Sequence, residues 1–412
     1  MKFILPLLFI TLFIQANALD AGGNKLISYS LWKTVARDEF AKTLKDKKVP
    51  KSMVHATTDV DIYEIRYKTC WYDGACIMAT GLYFIPHDRP MPLAEAVLHH
   101  GTRLQTGRGN KLGGQEFLCT GMAMDGYAVL YPDYVGLGSG DKFHLYLNAQ
   151  TEGQATVDML YAIRELNDTL GVKLSGQLFL TGYSQGGHAC MAATKLIQEK
   201  YSKDFKVTAS APLSGPYDLT GAQEKVMFRK YSQSWYLPYM LLGLNEVYHI
   251  MPDINQAYCS PYDTIIPKLF NGQKDYGALK GLLPDTPYLM LKDTFIQLYL
   301  HDPNFIMRKA LVENSLIDWK PEMPIMMCYC SADEQVMPQN AKEAQLSFKK
   351  HGAKHIRVVN AGRKYGHTKC ALFAAMYAKL YFDSFRNGSK YGRRGNLSAR
   401  FMMALAKLAV KP

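Results

Sequence analysis

The chain has 412 residues, 48% of them hydrophobic, with eight cysteines and a formal charge of +12. That length supports one large core with an insertion, and the cysteine content is too low for a disulfide-dense scaffold. The positive charge is spread along the chain and comes with no nucleic-acid-binding motif, so nucleic acid is not expected as a partner.

Lys2, the apolar run Phe3–Ile14 and the small residues Ala16-Asn17-Ala18 read as an export signal cut after Ala18. The run is too short to span a bilayer, so the product is expected to be secreted or periplasmic. An amphipathic helical pattern follows around Leu31–Leu44. Val60–Lys68 and Ile77–Pro86 alternate like strands and flank Trp71-Tyr72-Asp73-Gly74, which predicts a hairpin with Cys70 bridged to Cys76. Ala94–His99 is an apolar strand ending in His100-Gly101-Thr102, and Tyr127–Tyr131 is another, ending in Pro132-Asp133-Tyr134-Val135-Gly136-Leu137-Gly138. Val157, Leu160, Tyr161 and Leu166 have helical spacing.

The short strand Gln177–Thr181 then runs into Gly182-Tyr183-Ser184-Gln185-Gly186-Gly187 and a small-residue helix, His188–Leu196. Strand, tight turn and helix with glycine on both sides of a serine is the setting of a nucleophile elbow. Val207–Leu213 is the next strand. From Asp218 to Asp318 the alternation stops, and aromatics and methionine dominate, including Trp235, Tyr236, Tyr239 and Met240. Helical spacing at Leu289–Leu300 and Met307–Leu316 predicts a helical cap inserted after the sixth strand. Alternation resumes with Ile325–Cys330, a helix Asn340–Lys350, the strand His355–Asn360 and a last helix Thr368–Phe385. Cys328 and Cys330, two apart on a strand, are expected to be buried free thiols.

The whole reads as an α/β fold with a mostly parallel central sheet covered by helices on both faces. The expected organisation is a signal peptide (1–18), a first core part (19–217), the cap or lid (218–318) and a second core part (319–412) with a basic tail. That tail, with Arg386, Lys390, Arg393, Arg394, Arg400, Lys407 and Lys411, could make peripheral contact with an anionic lipid surface or simply form a solvated helix. Oligomeric state is left open.

A serine hydroxyl needs a base within hydrogen-bonding reach to act as a nucleophile. His367 sits in a loop between the last strand and the last helix, the expected place for that base. His99 and His100 precede the serine and suit a structural role beneath the site. His188 lies within the elbow helix. Asp333, just after the Ile325–Cys330 strand, is the expected acid, with Asp218 as the alternative and Glu334 pointing elsewhere. Acyl transfer also needs two donors for a developing oxyanion. The backbone N–H groups of Gln185 and Thr102 are the candidates, with Gly101 permitting close approach. Trp235, Tyr236 and Tyr134 are expected to bind substrate. No metal-ligand spacing is present, and neither metal nor cofactor is expected.

These stretches resemble the α/β-hydrolase superfamily over roughly residues 55–385, and within it the secretory lipase group of exported serine esterases. The resemblance rests on His100-Gly101-Thr102, the Asp133–Gly138 stretch, the elbow, Asp333 with Val336 and Pro338, and Gly366-His367. His144-Leu145-Tyr146 stands where the group would have His-Pro-Tyr. The resemblance implies hydrolysis of carboxylic esters, lipid-like or otherwise apolar, under a helical lid. A serine aminopeptidase of the same fold and a non-catalytic binding protein on this scaffold are the rival readings.

Overall fold

The computed structural model describes residues 24–46, 54, 56–88, 91–109, 111–393, 401, 403, 404 and 407. The leader expected over residues 1–18 and the tail residues Arg394, Arg400 and Lys411 lie outside the described residues.

The first departure from the sequence pattern is at the start. Leu26–Val35 is a strand, β1, and the helix α1 covers only Arg37–Asp46, where one helix was expected over Leu31–Leu44. β1 pairs antiparallel with β2 (Val60–Cys70), from Leu26 opposite Tyr67 to Val35 opposite Val60. It is an edge strand with Tyr29 and Leu31 exposed, and its stretch Ile27-Ser28-Tyr29-Ser30-Leu31 alternates apolar and polar residues as a strand does.

β3 (Cys76–Pro86), β4 (Leu93–His99), helix α2 (Gly114–Met124) and β5 (Tyr127–Pro132) follow. Next come helix α3 (Ala149–Leu170), β6 (Leu174–Tyr183), helix α4 (Gln185–Lys200) and β7 (Val207–Leu213). The nine strands of the sheet run in the order β1-β2-β3-β5-β4-β6-β7, then β8 (Ile325–Cys330) and β9 (Ile356–Gly362). β1, β2, β3 and β5 pair antiparallel, and every pairing from β5 to β9 is parallel. Successive residues of β6 feed opposite faces, as a strand must. Phe179 packs on Phe382 with ring centroids 4.8 Å apart, whereas Leu178 and Leu180 join the core with Leu160 and Ile163 of α3.

Between β7 and β8 the chain forms α5 (Tyr236–Tyr248), α6 (Tyr262–Ile265), α7 (Asp293–His301) and α8 (Ile306–Glu313) with several 3₁₀ turns. Because β1 was missed, this insertion follows the seventh strand, not the sixth. Its residues Leu241, Met290, Phe295, Met307 and Leu311 share one apolar cluster with Leu104, Tyr146 and Leu147 from the loops after β4 and β5. The helix expected over Leu289–Leu300 begins only at Asp293, since Leu291 bridges to Tyr258 and the Lys292 N–H donates to Ala257 O at 2.8 Å. Helix α9 (Gln339–Lys350) lies between β8 and β9, and α10 (His367–Arg386) closes the core.

The cysteine expectations need correction. Cys70 and Cys76 stand opposite each other in the β2–β3 ladder as free thiols. Cys330 instead bridges Cys370 of α10: the end of β8 and the first turn of α10 meet across 40 residues, a proximity that spacing cannot reveal. Cys328 is buried and outside the disulfide, as expected. No helix among the described residues is long and apolar enough to cross a membrane.

Candidate active site

The turn after β6 is built by backbone meeting backbone. A Cβ on Gly182 would lie 2.2 Å from Gly186 O, and one on Gly186 would lie 2.1 Å from His99 O. One on Gly187 would lie 2.5 Å from Leu213 O. Only glycine lets α4 start this close to β4 and β7. Ser184, at the apex, has φ of 63°, a region that a residue with a Cβ occupies at a cost. The Ser184 N–H donates to Leu213 O at 3.0 Å, and its carbonyl accepts from Gly187 and His188. The side chain thus stands at the carboxyl edge of the sheet and at the positive end of α4.

His367 opens α10. Its Nδ1 lies 2.9 Å from both carboxylate oxygens of Asp333, which follows β8. Asp333 Oδ1 also accepts the N–H groups of Gln335 and Val336 at 3.0 and 2.9 Å, so the carboxylate is held before it meets the ring. Nε2 makes no hydrogen bond to a described residue and is left uncommitted. The imidazole is brought to the elbow through Tyr183: ring centroids are 4.9 Å apart, and Tyr183 Oη donates to His367 O at 2.6 Å. Ser184, Asp333 and His367 are all buried.

The loop after β4 reaches the same place, for a Cβ on Gly101 would lie 3.3 Å from Tyr183 O and 3.8 Å from Ser184 Cβ. The Gly101 N–H donates to Gln115 of α2 at 3.1 Å. Thr102 Oγ1 pairs with Tyr146 Oη at 3.1 Å. The backbone N–H groups of Thr102 and Gln185 meet no partner among the described residues. Gln185 is the first residue of α4, where the N–H has no intrahelical acceptor.

The other sequence expectations separate clearly. A cavity of about 80 Å³ is lined by Ser184, Gln185, Tyr146, Met227 and Tyr236 among others. Tyr236 therefore lines the site, but Trp235 does not. Trp235 stands behind it with ring centroids 4.3 Å apart, its Nε1 donating to Gln233. Tyr134 is also corrected. It is fully buried with φ of 66°, and its hydroxyl donates to His100 O at 2.9 Å, a brace under the β4 loop rather than a substrate contact. Asp218 meets no histidine. Its Oδ2 accepts the Ala222 N–H at 2.7 Å and so closes the turn after β7.

Glu334, expected to point away, accepts the His367 backbone N–H at 3.0 Å. His99 is buried between Thr181 O and Thr156 Oγ1, both at 2.9 Å. Burial pushes its pKa down to about 4, so it is neutral, as a structural histidine should be. His188 pairs with Glu152 at 2.6 Å. His144, noted in the sequence only within His144-Leu145-Tyr146, and Glu152, which the sequence did not single out, both bond the Gln185 side chain.

The Asp133–Gly138 stretch also finds its reason. Asp133 Oδ2 accepts from Thr80 Oγ1 at 2.8 Å and from Arg108, and the chain folds directly over this group. A Cβ on Gly138, whose φ is 63°, would lie 2.1 Å from Thr80 Oγ1. One on Gly136 would lie 2.3 Å from His144 N.

The pattern that characterises secretory lipases matches residues 108–387. The chain belongs to the secretory lipase family. A secreted triacylglycerol lipase of Malassezia globosa is similar, 25% identical over 245 residues that cover 56% of this chain. The chain spans about half the length of that curated relative, 49%. In three dimensions the chain resembles a Legionella pneumophila protein with a TM-score of 0.83 and 25% identity, covering 89% of this chain and 99% of that one. It also resembles the rice cell wall degrading esterase LipA of Xanthomonas oryzae, with a TM-score of 0.78 and 26% identity over 87% and 97% of the two chains. The fold is that of the α/β-hydrolase lipases and esterases.

Proposed function

We propose that the protein is an exported serine esterase that cleaves lipid-like or other apolar carboxylic esters through an acyl-enzyme. The observation that carries this reading is the Asp333–His367 pair at 2.9 Å, packed against the residue that precedes an elbow serine.

Ser184 Oγ attacks the ester carbonyl carbon as His367 Nε2 takes its proton. Asp333 holds the Nδ1–H tautomer and supports the positive ring. The carbonyl oxygen becomes an oxyanion, received by the unengaged N–H groups of Gln185 and Thr102 and by the positive end of α4. Collapse expels the alkoxide, which leaves with the His367 proton, and the acyl group stays on Ser184. Water, deprotonated by His367, then attacks the acyl carbon, releasing the acid and returning the proton to Ser184. The apolar cavity over Ser184, with Tyr236 and Met227, receives the acyl chain. The insertion over it acts as the lid.

Purified Ser184→Ala should lose hydrolysis of p-nitrophenyl esters and labelling by a fluorophosphonate while keeping the wild-type circular dichroism and melting temperature. Substantial turnover by that variant overturns the reading. Esters and triglycerides of graded chain length then define the substrate.

A further inference from the structure

Four buried polar side chains, His144, Gln185, Glu152 and His188, form one hydrogen-bonded line beneath the elbow that ends on the main-chain carbonyl of Asn314. Gln185 Nε2 lies 2.7 Å from His144 Nε2 and 2.8 Å from Glu152 Oε1. The orientation of this amide follows from its neighbours. His144 Nδ1 faces the Val135 carbonyl at 2.8 Å and must donate to it, so in the neutral ring Nε2 is an acceptor. Burial pushes the His144 pKa down, which keeps that ring neutral. Two acceptors therefore meet the two amide hydrogens of Gln185, while its carbonyl oxygen has no partner.

Glu152 carries the line on. Its other oxygen lies 2.6 Å from His188 Nδ1, and His188 Nε2 donates to Asn314 O at 2.9 Å. Asn314 follows α8 in the insertion. Its side chain accepts the Ala149 N–H at the start of α3 at 2.8 Å and donates to Tyr248 Oη of α5 at 2.9 Å. His144, Glu152, Gln185, His188 and Asn314 are each at most 3% exposed.

Gln185 is the residue whose backbone N–H faces the expected oxyanion. The geometry points to Glu152 as a positioning residue: its carboxylate fixes the Gln185 side chain, hence the direction of the Gln185 N–H, and ties that donor through His188 and Asn314 to the insertion. The inference rests on the proposed acyl-enzyme mechanism. A buried carboxylate of α3 is here committed to the side chain of the residue that follows the elbow serine. A positioned donor matters because it acts on the transition state more than on bound substrate.

Glu152→Ala, assayed on a p-nitrophenyl ester, should lower kcat by about 10–100-fold with KM changed less than about threefold. Its affinity for phenylboronic acid, which forms a tetrahedral adduct on the serine, should fall in parallel. Glu152→Gln keeps an acceptor for Gln185 and offers an amide N–H to His188, and should restore kcat to within about threefold of wild type. A folded Glu152→Ala with kcat and boronate affinity within twofold of wild type overturns the inference, as does a change confined to KM. Should Glu152→Ala fail to fold, Gln185→Ala removes the anchored amide and keeps the backbone N–H. It should show the same paired loss, and its absence overturns the inference equally. Fluorophosphonate labelling of wild type separates the two levels: no label on Ser184 sinks the mechanism, whereas normal label with unaltered variants sinks only the role of Glu152.

Discussion

Tyr183 Oη donates a 2.6 Å hydrogen bond to the carbonyl of His367, and its ring lies against the imidazole. One side chain next to the proposed nucleophile thus holds the main chain of the proposed base. Tyr183→Phe keeps the ring and loses the bond. It should cost about 1 kcal/mol of stability, measured by denaturant melts, and lower kcat by about three- to tenfold as the imidazole loses a constraint.

Asp333→Asn tests the acid. The amide can still accept from Gln335 and Val336, so the loop after β8 should stay folded. The histidine tautomer is no longer fixed, and kcat should fall by about 10³–10⁴-fold. Asp218→Asn, at the alternative position, should leave kcat near wild type because it contacts no histidine. Steady-state kinetics on both variants decides between the two carboxylates.

The bridge between Cys330 and Cys370 closes a loop of 40 residues that contains α9 and β9. Its loss in Cys370→Ala should lower stability by about 2–4 kcal/mol. Because the loop ends carry the acid and the base, residual activity should also fall more steeply on heating than in wild type. Thermal inactivation curves with and without reductant read this directly.

Glu95 sits on β4, buried, with Oε1 unpartnered, and burial raises its pKa to about 7. The folded state therefore binds a proton more tightly than the unfolded chain. Stability is full below the unfolded pKa of about 4.3 and declines as pH rises toward about 7, with the penalty persisting above it. Glu95→Gln should remove that decline, gaining on the order of 3 kcal/mol at pH 8 and little at pH 4. Urea melts at the two pH values check the sign.

Gly138→Ala should destabilise the fold on the order of 3 kcal/mol, because a positive φ and a collision with Thr80 and Asp133 act together. Gly74→Ala, at a positive φ in open space, is the control and should cost less. Comparing the two melting temperatures isolates the collision.

The elbow was legible because its requirements are local: three glycines within six residues serve a single turn, and strand and helix lie on either side. The meeting of Asp333 with His367 was legible from their places after β8 and before α10. What escaped has a common physical reason. His144 and Glu152 meet Gln185, and Glu152 meets His188, only after α3 and α4 pack, and no spacing along the chain encodes those meetings. The Cys330–Cys370 pair likewise depends on β8 and α10 lying side by side. Tyr134 and Trp235 were misplaced because aromatic residues near a site are equally suited to line it or to wedge its walls. β1 was open to a period-two reading over Ile27–Leu31, but the apolar residues from Leu31 onward also suit a helix, which in the structure begins only at Arg37.

Asp333 takes the ring of His367 while its neighbour Glu334 takes the main-chain N–H of the same residue. Two adjacent carboxylates thereby clamp one histidine from both ends. Under the proposed mechanism the acid and the base are thus tied to one short loop, and the alcohol they serve stands on another element.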